Sequence, residues 1–484
     1  MAAILMIKTS KTKLPDKARS PPLGILSLIA YLREHRPGKD QFRLLDLRTK
    51  SDYDQALAAV TRDFQPDIIG FSSLTIEADN LHDLAALCKK LFPASIVIAG
   101  GPHPSSFGPQ VVADRNIDYV LAGEGEIAFL KFVTAIEQGN RQPEISGLCY
   151  LGANGRIVSF PPNQELVDMA TLPFPAWDLI DFNQYIEQRM SAISHGKYAV
   201  LFTSRGCPYQ CTYCHSIFTK RFRAMPAARV VDDLERLIGT YGIHEFEFFD
   251  DSFNLDYERA TAICDEIIRR NLKIRILFPN GVRGDLLDEA LIRKLRQAGT
   301  VYLVFAVESG SPRIQKEIKK YNQLDKLKAN IRFAAREGIF TWGFFMMGFI
   351  KETRRELWQT ARFAITSKLH GGFFFVVVPQ AGTELARQAG LDVADYATIK
   401  ATDYFATKNT LTSVNHVELW LWQTLTCFVF YAHPGRIYRI TRDFPYSYPV
   451  FFYKLLRVVM VMGLTFMRNL VYALLPNKKK EKVR

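Results

Sequence analysis

Cysteine is scarce in this chain, with 7 residues in 484. That scarcity excludes a disulfide scaffold. Long apolar runs are missing too. Leu419–Ala432 is too short to span a bilayer, and Tyr448–Leu475 is broken by Lys454, Arg457 and Arg468. A span needs roughly 18 or more consecutive apolar residues. The first ten residues hold one short apolar run and no small-residue cleavage site, so no signal peptide is expected and the expected compartment is the cytoplasm. Acidic residues are outnumbered, 49 against 62 Lys+Arg, giving a net charge of +13. Such an excess favours an anionic partner: nucleic acid, a phosphorylated cofactor or an anionic membrane. No segment resembles an RNA-binding module, and part of the charge lies in the C-terminal tail, so nucleic acid is not an expected partner. With 48% hydrophobic and 23% charged residues, wholesale disorder, collagen and coiled coil are excluded. The length suits about three domains, or two with a long tail.

What is present begins with alternation. Ile4–Ile7, Phe42–Leu47, Asp67–Ser72, Ile96–Gly101 and Tyr119–Ala122 read as buried strands. Leu23–Glu34, Asp52–Asp63, Glu77–Phe92 and Glu126–Gln138 have helical spacing. That order predicts a parallel sheet covered on both faces, with ligands beyond the C-terminal strand ends. Ser72-Ser73-Leu74, Gly100-Gly101-Pro102-His103 and Gly123-Glu124-Gly125-Glu126 fall there. Paired glycines allow a ligand close to the backbone, although a tight strand-to-helix turn explains them equally well. His103, alone beside proline, reads as a loop residue rather than a metal ligand.

Three of the seven cysteines lie within eight residues: Cys207, Cys211 and Cys214, just after the apolar strand Tyr198–Phe202. Three thiolates on one post-strand loop suit a 4Fe-4S cluster with one iron left open to another ligand. The alternative is a Cys3His zinc site using His215, but a ligand adjacent to Cys214 is poorly placed to close a tetrahedron.

Cys-x3-Cys-x2-Cys with Tyr213 before the last cysteine resembles the radical S-adenosylmethionine (SAM) enzymes. Pro22-Leu23-Gly24, Asp67–Ser72 and the two glycine motifs resemble the N-terminal domain of that family's cobalamin-dependent branch. Leu172-Pro173-Phe174-Pro175-Ala176-Trp177-Asp178 resembles its linker, and Phe430-Tyr431-x-x-Pro434 the tail of its porphyrin-cyclase-like and hopanoid-associated members. The resemblance covers roughly residues 1–440. It implies an α/β chain: a doubly wound, Rossmann-like cobalamin-binding domain (1–145), a linker (146–195), a partial (β/α)6 radical SAM barrel (196–400) and a mainly helical, basic C-terminal segment (401–484). The implied cofactors are a 4Fe-4S cluster, SAM and cobalamin. The implied partners are an electron donor such as flavodoxin or ferredoxin and a small-molecule or lipid-like substrate. Ser72, Leu74, Gly100, Gly101, Gly123, Glu124 and Glu126 would meet cobalamin. One departure stands out: nothing between Leu14 and Asp52 matches the Asp-x-His-x-x-Gly of corrinoid domains with an axial histidine, so cobalamin bound without that histidine is expected.

After the cysteines, strands are predicted at Ala199–Phe202, Glu245–Phe249, Ile274–Phe278, Val301–Val307, Trp342–Met347 and Phe373–Val378, with helices between them. Their ends carry polar groups suited to SAM, whose ammonium and ribose diol want carboxylates and whose carboxylate wants arginine. The resemblance implies Asp250 or Asp251 at the amino group, Glu308 and Ser309 at the ribose or amino-acid moiety, Tyr213 near adenine, and roles for Arg283 and Gly348. Asp250, Asp251 and Asn254 could instead cap the helix near Tyr257. Ile350 and Lys351 stand where the branch usually has Pro and Gly. The segment 448–484, with aromatics and a Lys478-Lys479-Lys480 cluster, reads either as a peripheral membrane anchor or as a helix packed on the barrel with a basic tail. The resemblance implies radical-based methylation of an unactivated carbon, with oxidative cyclisation, rearrangement or carbon–carbon coupling as the alternative.

Overall fold

The computed structural model describes residues 1–10, 20–50, 52–186, 196–214, 217–391 and 411–456. The expected membrane segment beyond residue 456, and His215 of the zinc alternative, lie outside the described residues.

Two sheets organise the chain, the first mainly and the second wholly parallel. The first contains β1 (Ala2–Lys8), β2 (Asp40–Asp46), β3 (Ile68–Ser72), β4 (Ile96–Gly100), β5 (Tyr119–Leu121), β6 (Leu148–Leu151) and β7 (Ile157–Ser159), in the order β2-β1-β3-β4-β5-β6-β7. Its helices are α1 (Leu23–His35), α2 (Tyr53–Val60), α3 (Ala78–Leu91), α4 (Pro102–Val112) and α5 (Glu126–Glu137). Alternate side chains of one strand serve opposite faces. Ile4 and Met6 pack with α1 and α5, whereas Leu5 and Ile7 pack with α2, α3 and α4. The winding reverses between β1 and β3, so a crevice opens at Lys8, Thr9 and Ser72. Antiparallel β6 and β7 continue the sheet beyond residue 145. They are four and three residues long, too short for a periodic signal. Helix α4 was not expected either, because Pro102, Pro104 and Pro109 mask it and Phe107 kinks it.

The linker buries Trp177, Phe182 and Tyr185 in the core of the second unit. There β8 (Ala199–Leu201) leads to the short antiparallel pair β9 (Ser204–Arg205) and β10 (Arg223–Ala224). Strands β11 (Glu245–Phe248), β12 (Arg275–Val282), β13 (Thr300–Glu308), β14 (Phe340–Met347) and β15 (Gly371–Val376) complete a six-stranded parallel sheet, β15-β14-β13-β12-β11-β8. Helices α6 (Ala227–Tyr241), α7 (Tyr257–Arg269), α8 (Glu289–Gln297), α9 (Pro312–Glu317), α10 (Leu324–Arg336), α11 (Arg354–Thr366) and α12 (Glu384–Gln388) join the strands. The pattern in α6 shows why: Val230, Leu234 and Leu237 recur on one face and are buried.

Sheet edges leave unpaired backbone groups. Helix α13 (His416–Ala432) covers the β15 edge. Gln423 Nε2 donates to the Phe374 carbonyl at 2.6 Å; Tyr431 Oη donates to the Gly372 carbonyl and accepts from its N–H, each at 3.0 Å. Helix α14 (Pro434–Asp443) carries Arg436, fully buried, which donates to the carbonyls of Ala364, Ile365, Ser367 and Leu369 around the end of α11. The last carbonyls of a helix have no partner further along it, and a guanidinium has five donors in a fixed fork to reach several at once.

Candidate active site

The cysteine loop runs from Gly206 to Phe222, between β9 and β10. Gly206 has φ +84, and a Cβ there would sit 2.2 Å from the Arg221 carbonyl oxygen, so the neck admits no side chain. Cys207 and Cys211 are half-buried and Cys214 is exposed. The Thr212 N–H donates to the Ile318 carbonyl, and the Leu385 N–H donates to the Thr212 carbonyl. Tyr209 lies under the Arg283 guanidinium at 4.2 Å.

Carboxylates from the second sheet hold the neck. Asp250 accepts from the Thr203 N–H (2.6 Å), Thr203 Oγ1 (2.5 Å) and Ser204 Oγ (2.7 Å), and is buried. Burial raises its pKa, and Arg259 and these donors oppose the rise. Asp251 accepts from the Gly206 N–H at 3.1 Å. Neither caps α7, whose N-cap is Asp256, accepting from the Arg259 N–H. Asn254 instead exchanges two hydrogen bonds with the Arg283 backbone. The Asp250 oxygens are thus occupied by donors of the loop neck. The Arg283 guanidinium forks onto Asp285 at 3.0 and 2.8 Å. Ser309 is buried and bonded to Thr360 Oγ1 and the Ser311 N–H.

Glu308 remains at the lip. It sits at the end of β13 with φ +63, rare for a residue bearing a Cβ. Lys320 Nζ lies 3.3 Å from its carboxylate. The Tyr213 hydroxyl bonds to it as well; burial, then the Glu308 charge, pushes that phenol well above its ordinary pKa. The Tyr213 ring packs among Ile314, Ile318, Phe349, Val377 and Leu385. Gly348, after β14, has φ +102 and donates its N–H to Glu352, as does Phe349. Glu352 is buried, with a second oxygen lacking a partner, and burial raises its pKa to about 7.

In the first sheet, the Ser73 N–H donates to Gly100 and the His103 N–H to Ser73, stitching the ends of β3 and β4 together. A Cβ on Gly101 would lie 3.0 Å from the Ser73 backbone, so this glycine serves a tight backbone packing. His103 is buried in the first turn of α4, packs tilted against the Phe107 ring, and is held neutral by burial, which lowers its pKa to about 4. Lys8 pairs with Glu77 at 2.5 Å beneath the same rim, and burial lowers its pKa to about 8. Leu74 and Ile76 stay exposed at that rim.

The carboxylates of Glu124 and Glu126 bind the cysteine-loop neck. Arg205 donates to Glu124 at 3.1 Å and to Glu126 at 2.7 Å; Arg223 also pairs with Glu124. Ser27 Oγ donates to Glu126 at 2.9 Å. Asn163 accepts from the Glu124 N–H and donates to the Ile217 carbonyl in the cysteine loop. Sequence reasoning missed Arg205, Arg223 and Asn163. The one available signal was an arginine immediately before Gly206-Cys207.

The donor chemistry fits the expected groups. Three thiols on one clasped loop suit a cluster with one open iron. Among the described residues, no three Cys, His, Asp or Glu side chains converge as a single-ion site would require. An exposed Leu74–Ile76 rim at a polar strand end suits the apolar face of a corrin. Two surface cavities of about 790 and 850 Å³ lie elsewhere, one lined by His244, Arg275 and Gly299, the other by Arg33, Phe174 and Arg236.

Comparison with known proteins agrees with this layout. Residues 201–364 match the Radical SAM superfamily, and residues 16–133 match the B12 binding domain. An uncharacterized methyltransferase of Pyrococcus horikoshii is 32% identical over 369 residues, 75% of this chain and 77% of that protein. The cytidylyl-2-hydroxyethylphosphonate methyltransferase of Streptomyces wedmorensis is 28% identical, covering 72% of this chain and 71% of its own. The anaerobic magnesium-protoporphyrin IX monomethyl ester cyclase of Rubrivivax gelatinosus is 26% identical, with 71% of this chain matching 62% of it. Among solved structures, the radical SAM methyltransferase TsrM of Kitasatospora setae, with cobalamin and a [4Fe-4S] cluster bound, superposes with a TM-score of 0.65 at 19% identity, covering 80% of this chain and 78% of that one.

Proposed function

The chain belongs to the radical SAM superfamily, as a member carrying a B12 binding domain, and we propose that it transfers a methyl group to an unactivated carbon of a hydrophobic small molecule. It is a cobalamin-dependent radical SAM enzyme, and its cofactors are a 4Fe-4S cluster, SAM and cobalamin. The observation that carries the reading is the cysteine loop, clasped by carboxylates of both sheets, facing the strand ends of each. Methylation is favoured over cyclisation because the two methyltransferases are 32% and 28% identical to this chain, against 26% for the Rubrivivax cyclase.

Cys207, Cys211 and Cys214 would hold the cluster. Glu308, Tyr213, Asp251 and Gly348 would border SAM, and Ser72, Leu74, Gly100, Gly101 and Gly123 would border cobalamin. When bound, the cluster supplies the electron that cleaves SAM to a 5′-deoxyadenosyl radical, and cobalamin supplies the methyl group. The protein's own part is to orient these groups and exclude water. Asp250 and Asp251 fix the neck of the loop; Lys320 brings a buried positive charge beside the cysteines. The units we assign are the first sheet through residue 159, a linker, the second sheet with its helices through α12, and the C-terminal helices.

The test is product analysis. The reconstituted enzyme, given SAM, hydroxocobalamin, a reductant and a lipid or peptide extract, should make a product heavier by one methylene. S-adenosylhomocysteine and 5′-deoxyadenosine should appear together. A product lighter by hydrogens, with 5′-deoxyadenosine alone, would establish the cyclase reading instead.

We further propose a lipid surface as a partner. Val417, Leu421, Leu425, Phe428 and Val429 recur on one face of α13, and all are exposed. A surface helix normally turns such residues inward. No described helix is long and apolar enough to cross a membrane. The electron donor is read as an acidic carrier such as flavodoxin or ferredoxin, for which the net charge of +13 provides the steering field.

A further inference from the structure

Arg205 and Arg223 are direct cross-strand partners in the β9–β10 pair. Like charges facing each other across a strand pair repel. Here the pair closes the neck of the cysteine loop, and its side chains are buried or nearly so, with 8% and 11% exposure. Two arginines in such a place need counter-charge, and the second sheet does not give it. It comes from Glu124, which touches both guanidinium groups, and from Glu126, which touches Arg205. Each carboxylate is itself buried, so the cluster is a desolvated ionic lattice in which no member is neutralised without the others.

Glu124 lies in the loop that follows β5 and Glu126 opens α5, beside the β4 end at Gly100. The same loop is fixed at its backbone. The Gly123 N–H donates to Ser105 Oγ, and a Cβ on Gly123 would lie 2.4 Å from Asn163 Oδ1. Asn163 in turn donates to the Ile217 carbonyl inside the cysteine loop. The loop at one cofactor's strand ends is thus the clamp on the other cofactor's loop, by two routes: carboxylate to arginine, and backbone through Asn163.

We propose that Glu124 and Glu126 are positioning residues that couple the two cofactor sites, so that a seated cluster tightens cobalamin binding and seated cobalamin tightens the cluster loop. The proposal rests on the assignment of the cluster to Cys207, Cys211 and Cys214 and of cobalamin to the first sheet. Coupling of this kind is reciprocal, and its usual size is a factor of roughly 5 to 150 in affinity.

The experiment measures hydroxocobalamin affinity by absorbance titration of the full chain, anaerobically, with and without the reconstituted cluster. In the wild type the cluster should tighten binding about 5-fold or more. In Glu124→Gln, which keeps shape and removes charge, the ratio should fall toward one, while each cofactor alone still binds. Hydrogen exchange gives a second readout: hydroxocobalamin should slow exchange across residues 206–214 and 217–222 in the wild type and not in the variant. Should Glu124→Gln fail to fold, Arg223→Gln removes one of the facing charges and should lower the ratio too. A wild-type ratio of one, with both cofactors bound, overturns the coupling and leaves the functional assignment standing. A ratio unchanged in both variants overturns the role of these residues. No hydroxocobalamin binding at all overturns the underlying assignment and this proposal with it.

Discussion

Two predictions belong to single residues. Replacing Cys207, Cys211 and Cys214 together with alanine should abolish iron and sulfide uptake on anaerobic reconstitution, while Cys88, Cys149 and Cys264, buried in apolar cores, should be dispensable for it. Stoichiometric iron in the triple variant would end the assignment. Glu352 carries a pH prediction. Its folded pKa, about 7, lies above the ordinary 4.5, because burial disfavours the charge. The native state therefore holds a proton that the unfolded chain has already lost. The resulting stabilisation is complete below about pH 4.5 and is lost as pH rises through about 7, a change on the order of 3 kcal/mol. Glu352→Gln stays neutral, so its melting temperature relative to wild type should climb between pH 5 and pH 8; a constant difference would refute the mechanism. The cysteines were legible in the sequence because their spacing is local. The ion pairs of Glu124 and Glu126 were not, because their arginine partners lie 79 to 99 positions away and ion pairs at that range leave no periodic mark. The bonds of Asp250 to the loop neck were hidden for a related reason: a carboxylate at a strand end looks the same whether it meets a ligand or its own chain's N–H groups.

At the scale of elements, all eleven strands expected from the two alternating patterns appear, since parallel strands buried on both faces read as continuous apolar runs. What escaped was short or disguised: β6 and β7, too brief for periodicity, and α4, hidden by its prolines. The role of α13 was also hidden. Its run was legible only as too short to span a bilayer, whereas its inner face pairs the edge of β15. That makes a prediction. Tyr431 is both donor and acceptor to Gly372, so Tyr431→Phe leaves two edge groups without a partner. Each lost bond costs about 1 kcal/mol, more where water cannot replace the phenol. A loss of about 2 kcal/mol is expected, seen as a lower melting temperature. It should be accompanied by faster amide exchange at Gly372 and an increased tendency to associate through the freed edge. Unchanged exchange at Gly372 would mean that α13 is not what protects it.

The whole molecule raises the question of what covers the outer face of α13. Its N-terminal end adjoins the lip of the second sheet: Leu419 packs against Gly348, and Thr412 and Ser413 bond to the Glu352 carbonyl. A bilayer meeting this helix would therefore meet the protein beside its strand ends, where a hydrophobic substrate would have to enter. The apolar face supplies insertion at the headgroup boundary, and a net charge of +13 supplies attraction to anionic lipid, about 1 kcal/mol for each basic residue near the surface. Together they predict reversible binding. Full-length protein should sediment with vesicles containing anionic lipid and be released by high salt. Leu425→Glu with Phe428→Glu places two charges on the exposed face and touches no buried side chain, so folding should be unaffected while sedimentation falls at least several-fold. A chain ending at Leu456 separates the two contributions: if it still binds, the helix face suffices, and if it does not, residues 457–484 are required. Sedimentation of the double variant equal to wild type would remove α13 from the surface, and a protein that ignores vesicles altogether would leave its stripe to a protein partner. Resistance to every wash short of detergent would mean that the chain is embedded more deeply than an interfacial helix allows.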